Sequence, residues 1–217
     1  MLWFESNGSH RHLRVALPDS TLGRARRSLR AELTARRRAV SAADRDHAAR
    51  RAALNADHAL HLASQQRIAV YAALPSELDA APLIALAASR GCRIFLPRID
   101  RRRGSRGMRF IEMSGPLRKN RLGIDEPVGS ATIGARWLDL VFLPLVGFDG
   151  RGLRLGTGGG FYDRAFAFRQ LRRAWHKPQL VGFGYAFQQV ERLTAAPHDV
   201  FMDAVVTDEG FIRCATG

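Results

Sequence analysis

Arg154, Gly156, Gly158, Gly159, Gly160, Asp163 and Arg164 fall within one short stretch, and their types belong together chemically. Four glycines in five residues remove the side chains that would keep a ligand away from the backbone. A helix beginning at Phe161 would leave its first N–H groups free and turn its positive dipole end toward the glycines. Arg154 and Arg164 carry the charge that matches phosphate, and Asp163 offers an oxygen to a hard cation such as Mg²⁺. The set describes a nucleotide-phosphate site. It is neither of the common loop signatures: no G-x-x-x-x-G-K-[ST] occurs, and Phe161 and Asp163 stand where G-x-G-x-x-G needs its third glycine. Glycines alone fit a flexible loop equally well; the flanking arginines, Tyr162 and Asp163 favour the phosphate cradle.

Such a loop needs a frame. The apolar run LDLVFLPLV leads into the turn Asp149-Gly150-Arg151-Gly152, which reads as a strand delivering the loop. Leu22, Ala25, Leu29 and Leu33 recur at helical spacing from Thr21. Ser41 to Asp44 fits a capping box for a second helix to about residue 64. Ile68–Ala73 reads as a strand stopped by Pro75, Asp79–Ser89 as a helix ended by Gly91, and Arg93–Leu96 as a strand before Pro97. Further strands are expected at 138–143 and 180–185, with one helix over 161–174. Met108–Met113 alternates as an edge or hairpin strand. The alternation predicts an α/β fold, a three-layer αβα arrangement whose mostly parallel sheet is covered by helices on both faces. Ligands sit beyond the carboxyl ends of such strands, where Glu77, Arg98 and residues 150–164 are expected.

The stretch GFDGRGLRLGTGGGFYDR resembles the signature of the 5-formyltetrahydrofolate cyclo-ligase family, FD-x-x-G-x-RLG-x-G-x-GYYDR. The likeness runs over roughly residues 22–210. Arg26-Arg27-Ser28-Leu29-Arg30 is similar to the family's basic x-x-LR helix, and IAVYAALPSEL (Ile68 to Leu78) to its first strand and acidic residue. Phe95 to Arg98, Met108 to Phe110, Gly123 to Pro127, Pro197 to Asp199 and Asp203 to Thr207 resemble its later elements. The resemblance implies conversion of 5-formyltetrahydrofolate, with ATP and Mg²⁺, to 5,10-methenyltetrahydrofolate, ADP and phosphate. The formyl oxygen would take the γ-phosphoryl group and N10 would close the ring. No covalent nucleophile is required, and the chain shows no G-x-S-x-G elbow, Cys–His pair or zinc spacing.

Roles follow from the resemblance position by position. Arg26 and Arg30 would contact ATP phosphates, Arg26 standing where lysine is common and replacing a point charge by a planar fork. Arg154 and Tyr162 are expected to bind ATP and act in catalysis, with Gly156, Gly158, Gly159 and Gly160 against the nucleotide. Glu77, Thr157, Gly158, Gly159, Gly160 and Phe161 are expected on the folate, with Glu77 facing the pterin. Asp163 and Asp199 would ligate magnesium. Thr157 replaces the usual tyrosine or arginine and Phe161 the first tyrosine of the YYD pair; both departures bear on turnover more than on fold.

Composition bounds these readings. The chain has 217 residues, 46% hydrophobic, and no run approaching the ~20 apolar residues of a membrane span. One α/β domain over residues 21–217 is expected behind a disordered extension, residues 1–20, which lacks the pattern of a signal peptide. Cys92 and Cys214 read as reduced thiols of a cytoplasmic protein, Cys92 in the core, and a monomer acting on small molecules is expected. The formal charge is +14, almost all arginine, and residues 98–121 alone carry a net +7. That surface raises a competing reading, a nucleic-acid binder of the same fold, although no aromatic residues interleave the arginines. A binder of nucleotide or folate without turnover, or an ATP-dependent enzyme acting on another formamide or carboxylate, are further alternatives.

Overall fold

In the computed structural model of the chain, the residues described are 19–99, 107–114, 117–119, 125–127, 132–171 and 177–215. The expected extension lies outside them except for Asp19 and Ser20, which already belong to the first helix. Helices α1 (Asp19–Ala39) and α2 (Ala42–Leu60) come first, then strand β1 (Arg67–Ala69), helix α3 (Ala81–Ser89) and strands β2 (Arg93–Ile99), β3 (Met108–Glu112), β4 (Leu117–Lys119), β5 (Asp125–Pro127) and β6 (Thr132–Ile133). Strands β7 (Leu140–Pro144), β8 (Gly147–Phe148) and β9 (Arg154–Leu155) precede the short helices α4 (Phe161–Phe166) and α5 (Phe168–Leu171). Strands β10 (Gln179–Phe183), β11 (Ala204–Val206) and β12 (Phe211–Arg213) complete the chain.

The main sheet has the order β12-β11-β10-β7-β1-β2-β3-β6. The five central strands are parallel, while β12, β3 and β6 pair antiparallel at the flanks. Alternation along β7 shows how both faces are filled. Leu140 and Phe142 join the side chains under α2 and α3; Val141 and Leu143 join those packed with Phe166 and Phe168 on the other face. A strand buried on both sides reads as a continuous apolar run, and LVFLP does. The three layers and the mostly parallel sheet agree with the expected fold class.

Local signals explain several boundaries. Ser41 caps α2 by accepting the Asp44 N–H at 3.1 Å. That helix ends sooner than expected, at a left-handed His61. Strand β1 is shorter than expected and β2 longer, running through Pro97. Proline fits there because β1 pairs only as far as Phe95, which leaves one side of β2 without a ladder that would need its N–H. The Met108–Glu112 strand pairs antiparallel with the preceding β2, which agrees with the hairpin alternative, and it is covered by β6, so it is not an edge. Instead of one helix over 161–174 the chain forms α4 and α5, residues 172–176 lying outside the described set. Phe166 and Phe168 pack against each other with centroids 6.2 Å apart, which side chains two residues apart on one continuous helix would not do. Cys92 and Cys214 are unpaired; Cys92 is only half-buried, and burial pushes the Cys214 thiol up to about 12. Among the described residues no helix is long and apolar enough to cross a membrane.

Candidate active site

The chain runs from β1 outward to β2 and later returns to β7 on the other side of β1. This reversal opens a crevice at the carboxyl ends of β1 and β7, the place where such sheets bind ligands. A cavity of about 260 Å³ lies there. Tyr71, Ala72, Leu74 and Glu77 after β1 line it, together with Pro144 and Leu145 at β7. Pro97 and Ile99 of β2 and Met108 of β3 add apolar wall. Every site residue expected from sequence lines this one cavity: Arg26, Arg30, Glu77, Arg154, Gly156 to Gly160, Phe161, Tyr162, Asp163 and Asp199. Arg98 does not line it. It lies on the strand between Pro97 and Ile99, and successive side chains point to opposite faces.

The glycine loop is delivered by a small hairpin. Strands β8 and β9 pair antiparallel, and the turn between them is built around Asp149, which is fully buried. Asp149 Oδ1 accepts the N–H groups of Arg151 and Leu153, each at 3.1 Å, and Oδ2 accepts that of Leu193 at 3.0 Å. The Arg151 guanidinium reaches Oδ2 at 2.6 Å. Gly152 adopts φ +88°, and a Cβ there would lie 2.3 Å from the Met202 carbonyl oxygen. Beyond this hairpin the backbone opens. Gly156 and Gly158 have no heavy atom within 4 Å of where a Cβ would stand, and Gly158 has φ +104°. Gly160, with φ 62°, leads into α4, where the Arg164 guanidinium lies 5.0 Å over the Phe161 ring and donates to the Gly159 carbonyl at 2.9 Å.

Three arginines converge on the loop from different elements. Arg154 is buried; it donates to Asp163 Oδ1 at 2.8 Å and to the Val200 carbonyl at 3.0 Å. Arg30 of α1 donates to the Gly156 carbonyl at 2.7 Å. Arg26, one turn earlier, forms an ion pair with Asp199 and donates to the Thr194 carbonyl at 2.7 Å, while its Nε is buried without a partner. Burial, with Arg26 and Arg27 close by, holds the Arg30 guanidinium below its usual range, and Asp199 only partly offsets this. Arg26 and Arg154 each pair with a carboxylate, whereas Arg30 forms no ion pair among the described residues, so an anion bound beside it would offset its burial and the positive charge around it.

The carboxylates divide the work differently from expectation. Asp199 is engaged by Arg26: both its oxygens face that guanidinium, Oδ1 at 3.5 Å, and Oδ2 also accepts the Ala196 N–H at 2.7 Å. Asp163 Oδ1 takes Arg154 and the Val200 N–H, while among the described residues its Oδ2 accepts no hydrogen bond. The two carboxylates therefore do not form a ready pair for a cation. Among the described residues no three His, Cys, Asp or Glu side chains cluster as a metal site. One available carboxylate suits Mg²⁺ that arrives on phosphate oxygens and keeps its waters, since that ion needs only one or two carboxylates.

Glu77 is buried, and its Oε2 accepts the Leu74 N–H at 3.0 Å. Burial pushes its carboxyl up from the ordinary value; the Leu74 N–H and Arg37 pull it part of the way back. Tyr162 is raised by burial and then by Glu77, with Arg154 opposing. Its hydroxyl therefore stays protonated at neutral pH and can donate. Tyr71, also raised by burial, donates its hydroxyl to the Leu78 carbonyl at 2.7 Å and braces the loop that carries Glu77.

Sequence reasoning missed the apolar wall, Tyr71, His198 and Arg37. Nothing in Leu74, Pro97, Ile99 or Met108 distinguishes a cavity wall from core. Arg37 did leave a signal: with Arg26, Arg30 and Leu33 it follows spacings of four, three and four, a single helix face.

Comparison with known proteins agrees with this geometry. The model of the 5-formyltetrahydrofolate cyclo-ligase family matches residues 23–208. The Escherichia coli (strain K12) protein named 5-formyltetrahydrofolate cyclo-ligase is 36% identical over 144 residues, 64% of this chain and 76% of that protein. The mouse protein of the same name is 28% identical over 199 residues, 87% and 96% of the two chains. The structure of Aquifex aeolicus 5,10-methenyltetrahydrofolate synthetase superposes with a TM-score of 0.73 at 27% identity, over 88% of this chain and 94% of the other. The synthetase from Mycoplasma pneumoniae, at 22% identity and a TM-score of 0.64, shares the fold. With a family model covering most of its length, the chain belongs to the 5-formyltetrahydrofolate cyclo-ligase family of enzymes.

Proposed function

We propose that the protein converts 5-formyltetrahydrofolate to 5,10-methenyltetrahydrofolate with ATP and Mg²⁺, releasing ADP and phosphate. The observation that carries this reading is the convergence of Arg26, Arg30, Arg154 and the open glycine loop on the same cavity as Glu77 and Tyr162. ATP in this reading supplies the phosphoryl group, and Mg²⁺ offsets triphosphate charge. Asp163, through its unengaged Oδ2, would hold the ion together with phosphate oxygens and water. Asp199 serves first as the counter-ion that aims Arg26, and would ligate only on releasing it.

The formyl oxygen forms a bond to the γ-phosphorus as the bond from that phosphorus to the ADP oxygen breaks. N10 then attacks the activated carbon, loses its proton, and the C–O bond breaks as phosphate leaves. Arg154 is placed to neutralise charge on the transferring group, and Arg26 and Arg30 to hold the remaining phosphates. The backbone at Gly156 to Gly160 leaves room for nucleotide and folate to meet. The Tyr162 hydroxyl donates toward oxygen at the reacting centre. Glu77 accepts paired N–H groups of the pterin, and Leu74, Ile99, Met108 and Leu145 exclude water around it.

The test is absorbance in the methenyl band, with 5-formyltetrahydrofolate, ATP and Mg²⁺, beside Asp163→Asn. A rise that needs both ATP and Mg²⁺ and falls about a hundredfold in the variant is the expected outcome. A folded protein that binds ATP but gives no rise overturns the reading.

A further inference from the structure

We propose that Arg37 is a positioning residue of this site, tying the end of β7 to Ser76 in the Glu77 loop and bringing a buried positive charge to that loop. This rests on the reading that Glu77 receives the folate.

Arg37 is 4% exposed, and it sits on the face of α1 that carries Arg26, Arg30 and Leu33. Its Nη1 donates to the Leu145 carbonyl at 3.1 Å and its Nη2 to Ser76 Oγ at 3.4 Å. Its Nε is buried and has no partner. None of the ion pairs among the described residues includes it. A buried guanidinium held only by neutral oxygens is expensive unless an anion stands near. Its hydrogen bond to Leu145 does not explain it, because Gln188 Nε2 already satisfies that carbonyl at 3.0 Å. What Arg37 adds that a neutral side chain would not is positive charge, and Glu77 feels it.

Glu77 needs that charge. Among the described residues its Oε1 accepts no hydrogen bond, and Oε2 takes only the Leu74 N–H. The titratable groups that feel Glu77 in turn, Tyr71 beyond β1 and Tyr162 of α4, are neutral phenols. Without Arg37, burial alone would push Glu77 toward the protonated form, which cannot accept paired N–H donors. Arg37 therefore acts on the folate side of the cavity through Glu77, while Arg26 and Arg30 on the same helix face act at the glycine loop.

The test measures kcat and KM for both substrates against pH in the wild type, Arg37→Met, Arg37→Lys, Glu77→Gln and the Arg37→Met/Glu77→Gln pair. Arg37→Met should raise KM for 5-formyltetrahydrofolate about tenfold and leave KM for ATP within about twofold. The acid limb of kcat/KM for the folate should move to higher pH, and Arg37→Lys should move it back. In the Glu77→Gln background Arg37→Met should add less than about twofold. An unmoved acid limb, equal rises in both KM values, or independent effects in the double variant would each overturn the proposal. Should Arg37→Met not fold, Ser76→Ala must raise KM for the folate alone, by a smaller factor; no change there also overturns it. A wild type without turnover fails the functional reading and this proposal together, whereas an active wild type matched by Arg37→Met fails this proposal only.

Discussion

Residues 149–155 and 156–160 are adjacent and both contain glycine, yet they obey different physics. In the first, the buried charges are answered. Asp149 gathers three N–H groups and a guanidinium, Arg154 is held between Asp163 and Val200, and Gly152 is pressed against the Met202 carbonyl. In the second, Gly156 and Gly158 face open space and Thr157 is exposed. The closed half fixes where the open half begins. A loop can stay bare above a turn whose buried groups are held this closely. Glycine is required in both halves, for opposite reasons: contact in one, vacancy in the other.

The comparison breaks most severely at Gly152. A methyl group there would meet the Met202 oxygen at 2.3 Å and Cys214 Cβ at 3.0 Å, on a backbone at φ +88°. Strain and overpacking together should cost about 3 kcal/mol or more. Gly152→Ala should therefore show a large loss of unfolding free energy in denaturant titration, with normal turnover in whatever fraction remains folded. A stable Gly152→Ala enzyme with a specific defect in KM would mean that the turn, too, is part of the binding surface.

Asp149 comes next. Asp149→Asn keeps the shape but turns an amide N–H toward donors, and should cost about 2–3 kcal/mol. It should also remove a pH dependence. Burial pushes the Asp149 carboxyl up, but the Leu193 N–H, the Arg151 guanidinium and the Leu153 N–H outweigh it and hold it below the usual value. Its stabilisation is therefore complete above the unfolded carboxylate value of about 3.9 and is lost as pH falls through the lower folded one. Urea titrations from pH 6 downward should show a weaker acid-limb slope in the variant. Identical slopes would show that Asp149 is not what the turn is built on.

These two halves also show what could be read from sequence. Arg154, the glycines and Asp163 carry their chemistry in residue type and spacing, so the loop was legible. So were β7, whose LVFLP run announces burial on both faces, and the Ser41 cap. Pairings across long separations were not. Arg26 meets Asp199 across 173 residues, and no local pattern marks Asp199 as an arginine partner. The break between α4 and α5 depends on Phe166 and Phe168 both packing inward near Phe110, a tertiary fact that overrides helical periodicity. The covering of β3 by β6 likewise follows from a two-residue strand too short to stand out.

The finest test lies within the open half, where Gly156 and Gly158 differ in one respect. Both leave room for a side chain, but only Gly158 has a left-handed backbone. Gly158→Ala should cost about 1–2 kcal/mol from that conformation, whereas Gly156→Ala should leave stability within about 0.5 kcal/mol. If a ligand fills the space, both variants should still impair turnover, each by about tenfold, because the methyl group meets substrate and not protein. Gly156→Ala is the sharper probe, since its stability is expected to be untouched and a kinetic defect has no other source. Its alanine would stand beside the carbonyl that Arg30 holds at 2.7 Å, so the rise should appear in KM for ATP before KM for the folate. Wild-type constants for both substrates in Gly156→Ala would show that the open space there is merely solvent, and that glycine at 156 reflects the path of the chain and not the approach of a nucleotide.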